Sequence, residues 1–142
     1  MNLNDAVSDN CKSDFANRGI SMELSEDIRR EYDDDLFHAL YLGIGNLTFE
    51  TQKYRKGKIK VVTKVETSKE ILEIYSEGEP LTERVLTELN RNYQYGSQLI
   101  ERPLIYGSRI AAFFLAKVGG KVSIENCDIQ PYTVRNSVVF KR

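Results

Sequence analysis

Apolar residues recur at helical spacing through Ile28, Leu36, Leu40, Ile44 and Leu47, then switch to strict alternation through Ile59, Val61, Thr63 and Val65. The first pattern predicts a helix that opens at Glu26 behind a Ser25 cap and gives way at Gly57, with first-turn acids suited to the positive helix end. Gly43 and Gly45 interrupt it at about 1 kcal/mol each against alanine, which implies that another element approaches closely there. The second pattern, with Lys58, Lys60 and Lys64 between the apolar positions, predicts a half-buried strand. Thr67-Ser68-Lys69 then forms a turn, Ile71 to Tyr75 returns as an antiparallel strand, and Gly78 and Pro80 end it. Thr82 caps a helix carrying Val85, Leu86 and Leu89 on one side. Arg91 to Pro103 reads as irregular, Ile110 to Val118 as a helix buried nearly all round, and Val122–Glu125 and Val134–Phe140 as further strands. Residues 1–20 are polar with little periodicity, a loosely held arm or a short helix; residues 21–142 form one domain. The order of elements predicts an α/β two-layer sandwich: a mixed, mostly antiparallel sheet with helices on one face.

Composition narrows this little. The 142 residues are 41% hydrophobic and 29% charged, enough for one core without disulfides or metals. A net charge of −1 gives no global field to recruit nucleic acid or an anionic membrane, and neither is an expected partner. Charge is uneven: Glu31 to Asp35 carries four acids, whereas Lys53 to Lys64 carries six bases and no acid. Either these are solvated faces or they mark two docking surfaces. No apolar run approaches the ~18 residues of a membrane span, and no signal segment opens the chain, so the expected compartment is the cytoplasm. Cys11 and Cys127 stand far apart with a single histidine, His38, which argues against zinc and leaves serine or cysteine nucleophiles without a base. His38 itself reads as structural.

The segment Asn46-Leu47-Thr48-Phe49-Glu50-Thr51-Gln52-Lys53-Tyr54 resembles the first signature of the histidine kinase, gyrase and MutL ATPase superfamily, roughly N-L-L-x-N-A-x-K-Y. Asn46, Leu47, Lys53 and Tyr54 stand in register with it. Glu50 takes the place of a magnesium-holding asparagine, and Asn46 matches the kinase branch, where gyrase-like relatives carry a catalytic glutamate. The resemblance runs from about residue 30 to the C-terminus. It implies a histidine kinase ATPase-like fold and a nucleotide site built from Asn46, Glu50, Lys53, Ser76, Gly78, Pro80 and Gly107.

That site is degenerate in the sequence. The second signature, D-x-G-x-G, has an aspartate that takes the adenine amino group; here it reads Ser76-Glu77-Gly78-Glu79-Pro80, and only Gly78 survives. The third, G-x-G-L opening a helix, reads Ile105-Tyr106-Gly107-Ser108. Glu50 still offers oxygen to a metal. Ser76 in place of a carboxylate loses a charge-assisted hydrogen bond worth roughly 1.5–3 kcal/mol. Pro80 removes a backbone donor, and Ile105 crowds amides that phosphates need. Together these changes are worth on the order of four decades of affinity. The expected function is therefore a non-catalytic signalling or regulatory protein acting through protein contact, with no cofactor. The alternative is an ATP-dependent protein kinase, of the histidine or anti-sigma serine type, with a divergent site using ATP and magnesium. An expected partner surface combines the acids Asp33, Asp34 and Asp35 with Tyr93 and Tyr95, beside Tyr106 in the region of the family's nucleotide lid, although core or loop packing explains the tyrosines about as well.

Overall fold

The computed structural model describes residues 1–12, 20–96 and 107–142, without the side chains of residues 95, 96, 107 and 108. The elements run α1 (Leu3–Cys11), β1 (Ile20–Glu23), α2 (Asp34–Tyr54), β2 (Ile59–Glu66), β3 (Lys69–Ser76), α3 (Glu83–Gly96), α4 (Gly107–Ala116), β4 (Gly120–Ile129) and β5 (Tyr132–Lys141). The five strands form one sheet in the order β1-β2-β3-β5-β4. Only β1–β2 is parallel; the β2–β3, β3–β5 and β5–β4 pairs are antiparallel.

Register and side-chain alternation divide the sheet into two faces. Val61, Ile74, Leu72, Val138, Val122 and Phe140 point toward the helices and join Leu40, Ile44, Leu47 and Leu115 in one core. The opposite face carries Lys60, Lys64, Glu73, Tyr75 and Arg135. There Glu73 accepts from the Tyr75 hydroxyl at 3.1 Å and lies 3.3 Å from Lys64 and 3.6 Å from Arg135. Helices thus cover one face, and a charged lattice finishes the other. The mostly antiparallel sandwich expected from the element order is what forms.

One open local expectation is decided and two are corrected. Of the two readings for the N-terminal stretch, the short helix is the one that forms: the core begins at α1, where Leu3, Ala6, Val7 and Cys11 are buried, while residues 13–19 lie outside the described residues. Its polar composition reflects a capping box, in which Asn2 Oδ1 accepts from the Asp5 amide at 3.1 Å and Asp5 accepts from the Asn2 amide at 2.8 Å. Ser25 does not start a helix; its hydroxyl accepts from the Asp27 amide at 3.1 Å, a local turn. The long helix starts eight residues later than expected, where Asp33 accepts from the Leu36 amide at 2.9 Å and Asp34 and Asp35 fill the first turn. Ile28 is still buried, though from a stretch outside any helix or strand. Finally, Arg91–Gly96, the first part of the stretch expected to be irregular, extends α3, and residues 97–103 lie outside the described residues.

Gly43 explains how α2 and α4 meet. A Cβ at this position would stand 2.5 Å from Leu115 Cγ, so only glycine lets the two helices close to this distance. Gly45 does the same for α1, whose Asn10 Oδ1 would lie 2.7 Å from an added Cβ.

Candidate functional site

The second half of α2 turns from core to cavity wall. Leu47 and Thr51 stay buried on the core side, while Glu50, Lys53 and Tyr54 follow on the flank that faces α3. Thr48 and Thr51 return their hydroxyls to the carbonyls of Ile44 and Leu47 at 2.8 and 2.9 Å, so neither is offered to a ligand. Asn46 does likewise, donating Nδ2 to Leu42 O at 2.8 Å, and it does not line the cavity. Lys53 lies 5.2 Å from the centre of the Tyr54 ring at the exposed rim.

Arg55 ends the helix in extended conformation, its amide donating to Thr51 O at 2.9 Å. Its guanidinium then reaches across the base of the cavity. Nε donates to Ser76 Oγ at 3.0 Å, Nη1 to Glu79 O at 2.7 Å and Nη2 to Thr133 Oγ1 at 2.9 Å. Thr133 in turn donates to Gly78 O at 2.6 Å. One side chain therefore ties the end of α2 to the end of β3, the loop after it and the start of β5. Burial pushes the guanidinium below its usual pKa, opposed by the neighbouring Cys127 and Glu79. Gly78 sits at φ +123° under the guanidinium, a backbone conformation that side chains disfavour. Ser76 is only 1% exposed, so its hydroxyl is committed to this network.

Beyond Gly78, Pro80 is exposed and off the cavity wall. Leu81 is fixed there by Asn126, which accepts from the Leu81 amide at 2.9 Å and donates to its carbonyl at 2.8 Å. Thr82 caps α3 as expected, accepting from Val85 N at 3.3 Å. The apolar side of α3 then brings Val85, Leu89 and Tyr93 over the cavity.

Tyr93 overturns the expectation of a surface tyrosine: it is 6% exposed, and its hydroxyl accepts from Asn136 Nδ2 at 2.8 Å. The cause is helical periodicity. Tyr93 lies four residues beyond Leu89 on the same buried stripe, so the ring that looked available in a loop is packed in a helix. Burial pushes its phenol up to about 12, with Glu50 adding to the rise and the Asn136 hydrogen bond opposing it.

These elements enclose a cavity of about 380 Å³. Leu47, Leu81, Val85, Leu89, Ile124 and Val134 supply aliphatic wall; Glu50, Arg55, Ser76, Asn92, Tyr93 and Asn136 supply the polar groups. Of the residues expected at the site, Glu50, Lys53 and Ser76 converge on it, while Asn46, Gly78 and Pro80 stand behind or beside it. Gly107 opens α4, but Ile105 and Tyr106 fall outside the described residues, as do the side chains of Tyr95 and Ser108. Asp33, Asp34 and Asp35 are exposed at the far end of α2. Sequence reasoning missed Arg55, Thr133, Asn126 and Asn136. Arg55 was visible only as one member of a basic run directly after the signature. Among the described residues, no three histidine, cysteine or acidic side chains gather as a metal site, and no helix is long and apolar enough to cross a membrane.

No family model matches the chain, and no curated protein matches its sequence. Solved structures do match its fold. The nucleotide-free catalytic domain of the histidine kinase ThkA superposes with a TM-score of 0.73 at 18% identity, covering 99% of this chain and 94% of that one. The mycobacterial sensor histidine kinase MprB gives 0.72 at 15% identity, covering 99% and 95%. ThkA solved in complex with the response regulator TrrA gives 0.71 at 19% identity, covering 99% of this chain and 40% of the ThkA chain. The chain has the fold of a histidine kinase catalytic (ATPase) domain.

Proposed function

We propose that this chain is a non-catalytic relative of the histidine kinase ATPase domain, a regulatory module that works by binding another protein and not by turning over ATP. The observation that carries this is Arg55. In the resembling family the residue at Ser76 is the aspartate that takes the adenine amino group. Here that position is a buried hydroxyl already accepting from Arg55, whose guanidinium also holds Glu79 and Thr133. A base entering on this side has no carboxylate to meet and must displace a three-point contact. Against ATP and magnesium stands the described wall, where six aliphatic side chains alternate with polar ones and Glu50 is the single carboxylate among the described lining residues.

A role in contact needs a rigid body and a free surface. The interlocked core supports the first, and the exposed acids Asp33, Asp34 and Asp35 support the second, since a cluster of one sign steers a basic partner. Tyr93 is withdrawn from that surface. A larger protein that contains this fold, ThkA, has been solved in complex with the response regulator TrrA, which supports a signalling partner for the module.

The competing proposal, an ATP-dependent kinase with a divergent site, is favoured by Glu50 and Lys53, which both reach the cavity. Titration with magnesium-ATP by calorimetry decides between them. The expected outcome is no saturable heat at millimolar nucleotide. Saturable binding that disappears in Glu50→Ala establishes the kinase reading.

A further inference from the structure

The cavity keeps a shape and a charge of its own, whatever its relation to nucleotides. At about 380 Å³ it falls within the range of small-ligand pockets, about 300–1,000 Å³, and it has the usual mix of apolar wall and few polar groups. Its charges are unequally satisfied. Arg55 spends its donors on Ser76, Glu79 and Thr133, and Lys53 stacks against Tyr54 at the rim. Glu50 is half-buried on the wall, and no hydrogen bond or ion pair ties its carboxylate to another described residue. Glu50 shares this wall with Leu47, Leu89 and Tyr93, so a ligand that fills the cavity would cover the carboxylate and must itself supply the partner.

A ligand that completes this site supplies one positive donor for Glu50 and an apolar body for the aliphatic walls. We infer that the cavity is a binding site for a small organic cation, a primary amine on an aromatic or short aliphatic body, with Glu50 as its counter-ion. The inference rests on the proposal that nucleotide does not occupy this space, and it gives the regulatory module something to sense. A neutral ligand leaves Glu50 unpaired. Lys53 and Arg55 on the same wall would favour an anion, but Arg55 is engaged by Ser76, Glu79 and Thr133 and Lys53 lies at the exposed rim; the anionic arm of the test decides between the charges.

The test is an amide NMR titration of the full chain with 2-phenylethylamine, tryptamine and hexylamine, beside the neutral 2-phenylethanol and the anionic 3-phenylpropionate. At least one amine should give saturable shifts at Val85, Leu89, Ile124 and Val134, with the alcohol at least tenfold weaker and the acid silent. Glu50→Gln should cost the amine at least tenfold, and Leu89→Trp, which fills the cavity, should abolish its shifts. Absence of saturation by all three amines, equal binding of amine and alcohol, or unchanged amine affinity in Glu50→Gln each overturns the inference. If Glu50→Gln does not fold, the amine–alcohol comparison in the natural chain decides. A parallel magnesium-ATP arm separates the two proposals. Shifts at the same residues with nucleotide overturn the non-catalytic reading, whereas silent amines with silent nucleotide overturn only the amine site.

Discussion

The two halves of α2 solve opposite problems. The first half, around Gly43, is packed so closely that a methyl group would stand 2.5 Å from Leu115 Cγ. The second half, from Leu47 to Arg55, opens onto a cavity of about 380 Å³ and is held by polar contacts to loops. Both lie on one continuous helix, so helix propensity does not distinguish them. What differs is the partner: the Leu115 side chain of α4 pressed against the first, and the cavity between α3 and the sheet beside the second. A fold can therefore be retained through the first half while the second is free to change its chemistry.

The largest expected effect tests the packed half. Gly43→Val drives a branched side chain into Leu115, and overpacking of this kind costs typically about 1–3 kcal/mol, occasionally more. A matching substitution at the open half, Val85→Ile, places its extra methyl beside empty space and is expected to change stability by less than about 0.5 kcal/mol. Urea denaturation of both variants measures the contrast. Equal losses dissolve the distinction between the two halves.

That contrast also explains what was legible in the sequence. Leu40, Ile44 and Leu47 at helical spacing, and Ile59, Val61 and Thr63 at strand spacing, announce burial directly because packing obeys the periodicity of the backbone. Gly43 and Gly45 announced close approach for the same reason. The start of α2 differs because Ile28 keeps the hydrophobic rhythm from a segment outside any helix or strand, and periodicity does not report the backbone that carries it. Arg55, Thr133 and Asn136 were silent because they come from three elements and meet only after the sheet has formed. Glu50, Lys53 and Ser76 were found through resemblance to a motif, and the network that ties down Ser76 was not.

A second test concerns the buried phenol at the open half. The folded state holds Tyr93 up to about 12, above an ordinary value of 10.0. Because the folded pKa is raised, the neutral phenol's contribution is complete below pH 10 and is lost as pH rises toward 12. Tyr93→Phe removes this linkage, so its stability should fall less steeply across that window, by up to about 1.4 kcal/mol per pH unit for one proton. Tyr32, also pushed up to about 12 by burial, remains in both proteins and sets the background slope. Denaturation midpoints at several pH values provide the measurement, and parallel slopes contradict the burial of Tyr93.

Next in size is Arg55→Ala. Three hydrogen bonds disappear and the Ser76 hydroxyl is left buried without its donor, while solvent re-enters the half-exposed guanidinium site and offsets part of the loss. A net cost of about 1–2 kcal/mol is expected, with hydrogen exchange faster around Glu79 and Thr133. If the cavity end is held by apolar packing instead, stability changes by less than the error of the measurement, and exchange there is unaffected.

The smallest effect belongs to the acids at the packed end, and it is the most useful for separating structure from function. Asp33 serves the helix itself, because its carboxylate accepts from the Leu36 amide at 2.9 Å, and replacing such a cap with alanine costs about 1 kcal/mol. Any loss of partner binding in Asp33→Ala is therefore mixed with loss of helix. Asp34 and Asp35 are exposed in the first turn and interact with the helix end mainly through charge, about 0.3–1 kcal/mol each at low salt and less at higher ionic strength. The double variant Asp34→Asn, Asp35→Asn should keep its fold by circular dichroism and lose no more than a few degrees in Tm. A purified partner that binds the natural chain should then bind this variant more slowly, with the difference shrinking as salt is added, since steering acts on association. An association rate unchanged at low salt removes the acidic end of α2 from the contact surface and leaves the interlocked core without the docking face assigned to it.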